Sequence, residues 1–144
     1  MREPLESMVL GQKVPVLGVC VGMQMLASRS DEGELPGLNW VPGRVRAFVS
    51  APEAAQLPMP HMGWNDLQVK PGAKLFSGFE PQPQFYFLHS YYFACDDNAH
   101  LVATATYGQK FDCVVSKGHI HGVQCHPEKS HHFGAQLLKN FAEL

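Results

Sequence analysis

The stretch PVLGVCVGMQ, residues 15–24, decides how the rest of the chain is read. Pro15, Val16, Leu17 and Val19 form a short apolar run rich in β-formers, and Met23, Gln24, Met25 and Leu26 open a helix-compatible stretch. Cys20 therefore falls on a strand-to-helix corner. Such a corner lifts a side chain above a sheet, and Gly18 and Gly22 remove the side chains expected to clash as the chain doubles back. The pattern G-x-C-x-G is the cysteine counterpart of the G-x-S-x-G turn that presents a nucleophile.

Outward from this corner, residues 4–12 carry Leu5, Met8 and Val9 among polar neighbours and predict a short amphipathic helix ending at Gly11, with the first strand at 14–19. After the corner, SRSDEGELPGLNWVPG is turn-rich, RVRAFV at 44–49 alternates like a half-buried strand, and SAPEAAQLPMP at 50–60 is a Pro-rich connection. Strands are expected in WNDLQV, QFYFLHSYYFA, HLVATATY, FDCVVS and IHGVQC, and HHFGAQLLKNFAEL closes the chain as an amphipathic helix with Phe133, Leu137, Leu138 and Phe141 on one side. Helices at both ends around a strand-rich middle predict an α/β fold with an antiparallel extension, in a single domain spanning residues 1–144.

Composition narrows the partners. Eleven Lys and Arg against thirteen Asp and Glu, with no long basic run, speak against nucleic acid. No apolar run reaches transmembrane length and the N terminus opens with charges of both signs, so no membrane association and a cytoplasmic location are expected. Cys20, Cys95, Cys113 and Cys125 are scattered, which predicts free thiols in a reducing compartment.

A thiol attacks as thiolate, and an adjacent base held by a third group is the usual way to obtain one at neutral pH. GVQCHPEKS at 122–130 supplies both: His126 stands at the end of an apolar strand, Pro127 keeps it out of the helical region, and Glu128 follows two residues on. His126 facing Cys20, with Glu128 orienting the imidazole, fits the generalised triad, in which geometry matters and chain order does not. A metal reading competes. GHIHGVQCH places His119, His121, Cys125 and His126 close together, but the chain has no C-x-x-C and His126 already has a role, so no metal ligand is expected.

GVCVGMQML, PHMGWN, FYFLHSYYF and GVQCHPEKS together resemble the class I glutamine amidotransferases, most closely the HisH-type glutaminase subunits of imidazole glycerol phosphate synthase, over nearly the whole chain and in the same order. The resemblance implies a flavodoxin-like three-layer fold and hydrolysis of L-glutamine to glutamate and ammonia for histidine biosynthesis, with no cofactor. It implies Cys20 as nucleophile, His126 as acid and base and Glu128 as its orienting group, with the Val21 N–H as an oxyanion donor. Gln24, Glu32, His89, Ser90 and Tyr91 match the glutamine-binding positions, and Glu32 matches the residue that holds the α-ammonium. His61, Met62, Trp64, Asn65 and Lys129 match the surface facing a (β/α)8-barrel cyclase subunit. Two other assignments keep the same residues: a paralogue feeding ammonia to a sugar-amidating enzyme, and a truncated, inactive interaction module.

In the family, further strands precede the corner strand, and a Gly-rich loop among them gives a second oxyanion donor. Here the chain is expected to lack that N-terminal part. The apolar VPVLGV strand then presents an unpaired edge, which predicts a homodimer of the shortened chain.

Overall fold

The computed structural model describes residues 2–50, 52, 56–80 and 82–144. The Pro-rich connection expected at 50–60 falls partly on residues 51 and 53–55, outside that set. The order is α1 (Arg2–Glu6) running into a π-helical turn (Ser7–Gly11), β1 (Val16–Val19), α2 (Val21–Gln24), β2 (Arg29–Ser30), β3 (Gly43–Ala47), β4 (His61–Asp66), β5 (Gln68–Val69), β6 (Gln84–His89), β7 (Tyr91–Cys95), β8 (Leu101–Tyr107), β9 (Gln109–Lys117), β10 (Ile120–Val123) and α3 (His131–Ala142).

The fold is mixed α/β. An eight-stranded sheet runs β1-β10-β9-β7-β3-β2, with β8 and β5 branching from β9, and β4 pairs with β6 in a separate two-stranded sheet. Among the described residues only β1–β10 and β2–β3 pair in parallel; the remaining pairs are antiparallel. Among the described residues two apolar cores result. One joins Phe85 and Phe87 of β6 to Phe111, Val123 and Leu137. The other joins Val9, Met23 and Leu26 to Val45, Phe93, Val115 and Ile120.

The expected strand at 84–94 is two strands that break at Ser90 and belong to different sheets. The strand expected at 64–69 starts earlier, at His61, and divides at the fully buried Leu67. A continuous run of β-formers hides such breaks, because each half satisfies the same alternation on its own. The N-terminal helix buries only Val9: after five residues it widens into the π turn, and Leu5 and Met8 stay exposed. On α3, Phe133, Leu137 and Phe141 pack on the first core, whereas Leu138 is exposed.

Glycines set how closely α2 approaches the sheet. Gly18 of β1 lies in register with Gly122 of β10, and a Cβ on either would strike α2: 2.6 Å from the Gly22 carbonyl oxygen for Gly18, 2.7 Å from Met23 Cγ for Gly122. Gly22 differs from the expectation. A Cβ there meets nothing within 4 Å, because it points away from the corner. β1 pairs with β10 on one side and with no strand on the other among the described residues, so it forms a sheet edge.

Candidate active site

Cys20 sits where β1 ends and α2 begins, with φ 53° and ψ −106°. A left-handed φ on a non-glycine residue stores strain, and the surroundings must hold it. Here the Cys20 N–H donates to the Val123 carbonyl at 2.8 Å, continuing the β1–β10 ladder, while the Gln24 N–H closes the first turn of α2 onto the Cys20 carbonyl at 3.2 Å. The strained corner is thus pinned on both sides. The thiol points to β6, with Sγ 3.7 Å from the Leu88 carbonyl oxygen.

His126 reaches the same edge of that strand. Its N–H donates to the Tyr86 carbonyl at 2.8 Å, so Cys20 and His126 address β6 carbonyls two residues apart on one strand edge. Ser130 completes the anchorage, its hydroxyl donating to the His126 carbonyl at 2.6 Å and accepting from the Tyr86 N–H at 2.9 Å. His126 is extended (φ −106°, ψ 94°) ahead of Pro127, and a 3₁₀ turn over Pro127–Lys129 brings Glu128 back to it. His126 Nδ1 lies 3.1 and 3.2 Å from the two Glu128 carboxylate oxygens. A carboxylate only accepts, so Nδ1 carries a proton, and in the neutral imidazole the lone pair is then on Nε2. That Nε2 is buried and has no hydrogen-bond partner among the described residues.

Burial pushes the Cys20 thiol up; the Val21 N–H and the Gln124 amide oppose the rise, and the Glu128 charge adds to it. The resting thiol is therefore protonated, and a proton acceptor has to act before it can attack. The other cysteines are free but less suited. Burial, with Asp112 beside it, pushes Cys95 up to about 12, and full burial raises Cys113 and Cys125.

Beside the corner lies an open cavity of about 260 Å³ lined in part by Val21, Gln24, Arg29 and Glu32. Gln24 and Glu32 thus reach one cavity, and Arg29, which the sequence reading passes over, joins them. The Gln24 amide N–H groups donate to the Tyr91 carbonyl (3.3 Å) and to Gln124 Oε1 (3.0 Å). His89, Ser90 and Tyr91 do not line this cavity. Tyr91 offers its carbonyl while its ring packs on the second core. The His89 imidazole is buried behind it, bonded to the Tyr91 carbonyl at 2.7 Å and to His61 at 3.0 Å. A larger cavity of about 580 Å³ lies at the opposite end of β1, near Pro15 and His119, away from Cys20.

Of the expected partner surface, Met62, Trp64 and Lys129 are exposed. Trp64 stacks on His131 with an interplanar angle of 7°, and Lys129 Nζ stands 5.8 Å from the Tyr86 ring centre. His61 is a correction: it is buried, stacked between Phe87 and Tyr107, because odd-numbered positions at the start of β4 face inward. Burial lowers His61 to about 4 and His89 to about 3, so both stay neutral. Asn65 is half-buried, its amide donating to the Thr106 carbonyl at 2.7 Å. His119, His121 and His126 turn to different partners, the Val9 carbonyl, Ser116 and Glu128.

A family model described as glutamine amidotransferase class-I matches residues 3–144. Among curated relatives, the imidazole glycerol phosphate synthase subunit HisH of Bdellovibrio bacteriovorus is 56% identical over 144 residues, covering 100% of this chain and 71% of the relative. That of Leptospira interrogans is 48% identical over 143 residues, covering 99% of this chain and 70% of the relative. Among solved structures, a glutamine amidotransferase from Thermotoga maritima superposes with a TM-score of 0.64 at 21% identity, over 97% of this chain and 50% of that one. A second glutamine amidotransferase gives 0.67 at 17% identity, over 97% of this chain and 67% of the other, a likeness of fold. With a family match across almost its whole length and relatives this similar, the chain belongs to the class I glutamine amidotransferases.

Proposed function

We propose that the chain is the glutaminase subunit of an imidazole glycerol phosphate synthase, hydrolysing L-glutamine and passing ammonia to a (β/α)8-barrel cyclase. The observation that carries this reading is the bare, buried Nε2 of His126, whose other nitrogen is held by Glu128, at the strand edge that also receives the Cys20 thiol.

Glutamine enters with its oxygen- and nitrogen-bearing Cδ at the sulfur and its α-ammonium toward Glu32. His126 Nε2 takes the thiol proton as Sγ bonds to Cδ, and the Val21 N–H receives the developing oxyanion. The imidazolium returns the proton to the amide nitrogen, ammonia leaves, and a γ-glutamyl thioester remains. Water, deprotonated by the same nitrogen, attacks the thioester; the C–S bond breaks, the sulfur regains a proton and glutamate departs. One glutamine and one water give one glutamate and one ammonia.

The test is ammonia release from glutamine by the purified chain, alone and with a cyclase of the same pathway. Equal yields of glutamate and ammonia, increased by the cyclase, are expected. No hydrolysis in either condition would assign the chain to the interaction-module reading.

Trp64, exposed on β4 and braced by His131, is the anchor proposed for the cyclase. Trp64→Ala is expected to keep the circular dichroism spectrum and weaken association by about 2 kcal/mol or more, the range for a central aromatic anchor. A variant that unfolds would instead make Trp64 a stability residue.

The edge of β1 bears on self-association. Among the described residues one side of β1 has no partner strand and its residues are half-buried, and such an edge recruits a strand. Light scattering coupled to size exclusion is expected to give a dimer, and Leu17→Pro, which removes a backbone donor, to reduce it. A monomeric parent chain would sink the expectation.

A further inference from the structure

Gln124 has no exposed surface, and the reaction above gives it no part. It follows β10 immediately, its N–H donating to the Cys113 carbonyl at 2.8 Å, and its side-chain Nε2 lies 3.5 Å from Cys20 Sγ. Its Oε1 accepts from Gln24 Nε2 at 3.0 Å. This second contact settles which end of the amide faces the sulfur. Gln24 Nε2 also donates to the Tyr91 main-chain carbonyl, which cannot act as a donor, so Gln24 must present its NH2 group inward. Gln124 must then turn its oxygen to Gln24 and its NH2 to Cys20.

The Tyr91 carbonyl is itself fixed. His89 Nδ1 donates to it at 2.7 Å, and His61 Nδ1 donates to His89 Nε2 at 3.0 Å. Starting from that carbonyl, every donor direction in the chain His61, His89, Tyr91, Gln24, Gln124 is determined.

We propose that Gln124 is a further catalytic residue, the side-chain donor that stabilises the Cys20 thiolate once His126 has taken its proton, and that Gln24 is the positioning residue that orients it. A buried amide N–H facing a sulfur interacts more strongly with a thiolate than with a thiol, so it lowers the cost of forming the nucleophile. This rests on the reading of Cys20 as the nucleophile, but its consequences are visible without any turnover.

The test is the pH dependence of Cys20 alkylation by iodoacetamide in the full chain, followed by mass spectrometry of the Cys20 peptide. Gln124→Met keeps the shape and removes the donor. Its alkylation midpoint is expected to rise by about one pH unit, a tenfold fall in thiolate at a given pH, with a high-pH plateau rate higher by no more than about threefold, as the nucleophilicity of a less acidic thiol requires. A packing defect that lets water reach the sulfur would relieve its burial and lower the midpoint, the opposite direction. Gln24→Met, which frees the Gln124 amide to rotate, is expected to shift the midpoint in the same direction by a smaller amount. An unchanged midpoint in folded Gln124→Met overturns the proposal; if that variant does not fold, an unchanged midpoint in Gln24→Met does so. A wild-type chain that hydrolyses no glutamine while the midpoints still shift would remove the proposed reaction and with it the catalytic role of Gln124, leaving only its stabilisation of the Cys20 thiolate.

Discussion

Replacing His126 with alanine is expected to lower kcat/KM for glutamine by about 10³–10⁴-fold, the range for loss of a positioned acid–base. Three features make the effect large. The Cys20 thiol is held up by burial, so the spontaneous thiolate fraction is small. The bare Nε2 of His126 is the one titratable nitrogen at this strand edge that has neither a hydrogen-bond partner nor exposure to water among the described residues. The same nitrogen serves both half-reactions, so its removal slows thioester formation and thioester hydrolysis together. Stability should change little, because the anchoring contacts to Tyr86 and Ser130 use the main chain of residue 126. The measurement is a coupled ammonia assay beside thermal unfolding; turnover within tenfold of the parent in a folded variant would mean that another group takes the proton.

Glu128→Gln is a milder change. The carboxylate is about half exposed, so solvent shares in orienting and screening it, and the amide can still accept from Nδ1 through its oxygen. The order His126→Ala well below Glu128→Gln follows from where the two groups lie, one nitrogen enclosed and the carboxylate open to water.

The parts of this site that were legible in the sequence are those encoded within a few residues. Cys20 between a strand and a helix, and His126 with Pro127 and Glu128 beside it, are local patterns, and the backbone at both places follows from short-range sterics: a left-handed corner at one, an extended residue before proline at the other. What escaped was set by pairings between distant segments. Gly122 matters because the parallel register places it against Gly18 under α2, and nothing near Gly122 signals that. Gln124 looks like one polar residue in an apolar run; its place beside the sulfur comes from β10 lying next to β1. A buried amide in a strand of β-formers was nevertheless a usable hint, since such a group demands partners. His61 was misplaced for a related reason: its neighbours Met62 and Trp64 do face outward, but alternation along β4 sends His61 to the opposite side, where Phe87 and Tyr107 enclose it.

Gly18 and Gly22 flank Cys20 symmetrically in sequence, and their substitution by alanine is expected to give opposite results. At Gly18 the added Cβ would lie 2.6 Å from the Gly22 carbonyl oxygen, 2.7 Å from its carbon and 2.8 Å from the Met23 nitrogen. All three are main-chain atoms, so no side chain can rotate away and α2 itself has to lift. Overpacking of this kind costs about 2–3 kcal/mol, a fall of roughly 5–10 °C in melting temperature for a chain of this size. Lifting α2 also moves the Val21 N–H and the Gln24 amide relative to the sulfur, and a displacement near 1 Å lowers turnover by about 10²-fold. At Gly22 nothing lies within 4 Å of the added carbon and the backbone is not left-handed, so alanine adds helix propensity without a clash. Gly22→Ala should therefore melt at or slightly above the parent temperature. Thermal unfolding of the two variants decides the matter: equal destabilisation would mean that the corner is closed by strain on both sides, and a stable Gly18→Ala would mean that α2 is free to ride away from the sheet. A folded Gly22→Ala that loses turnover would place its methyl group in the path of glutamine, since the carbon then faces open space that the substrate has to cross.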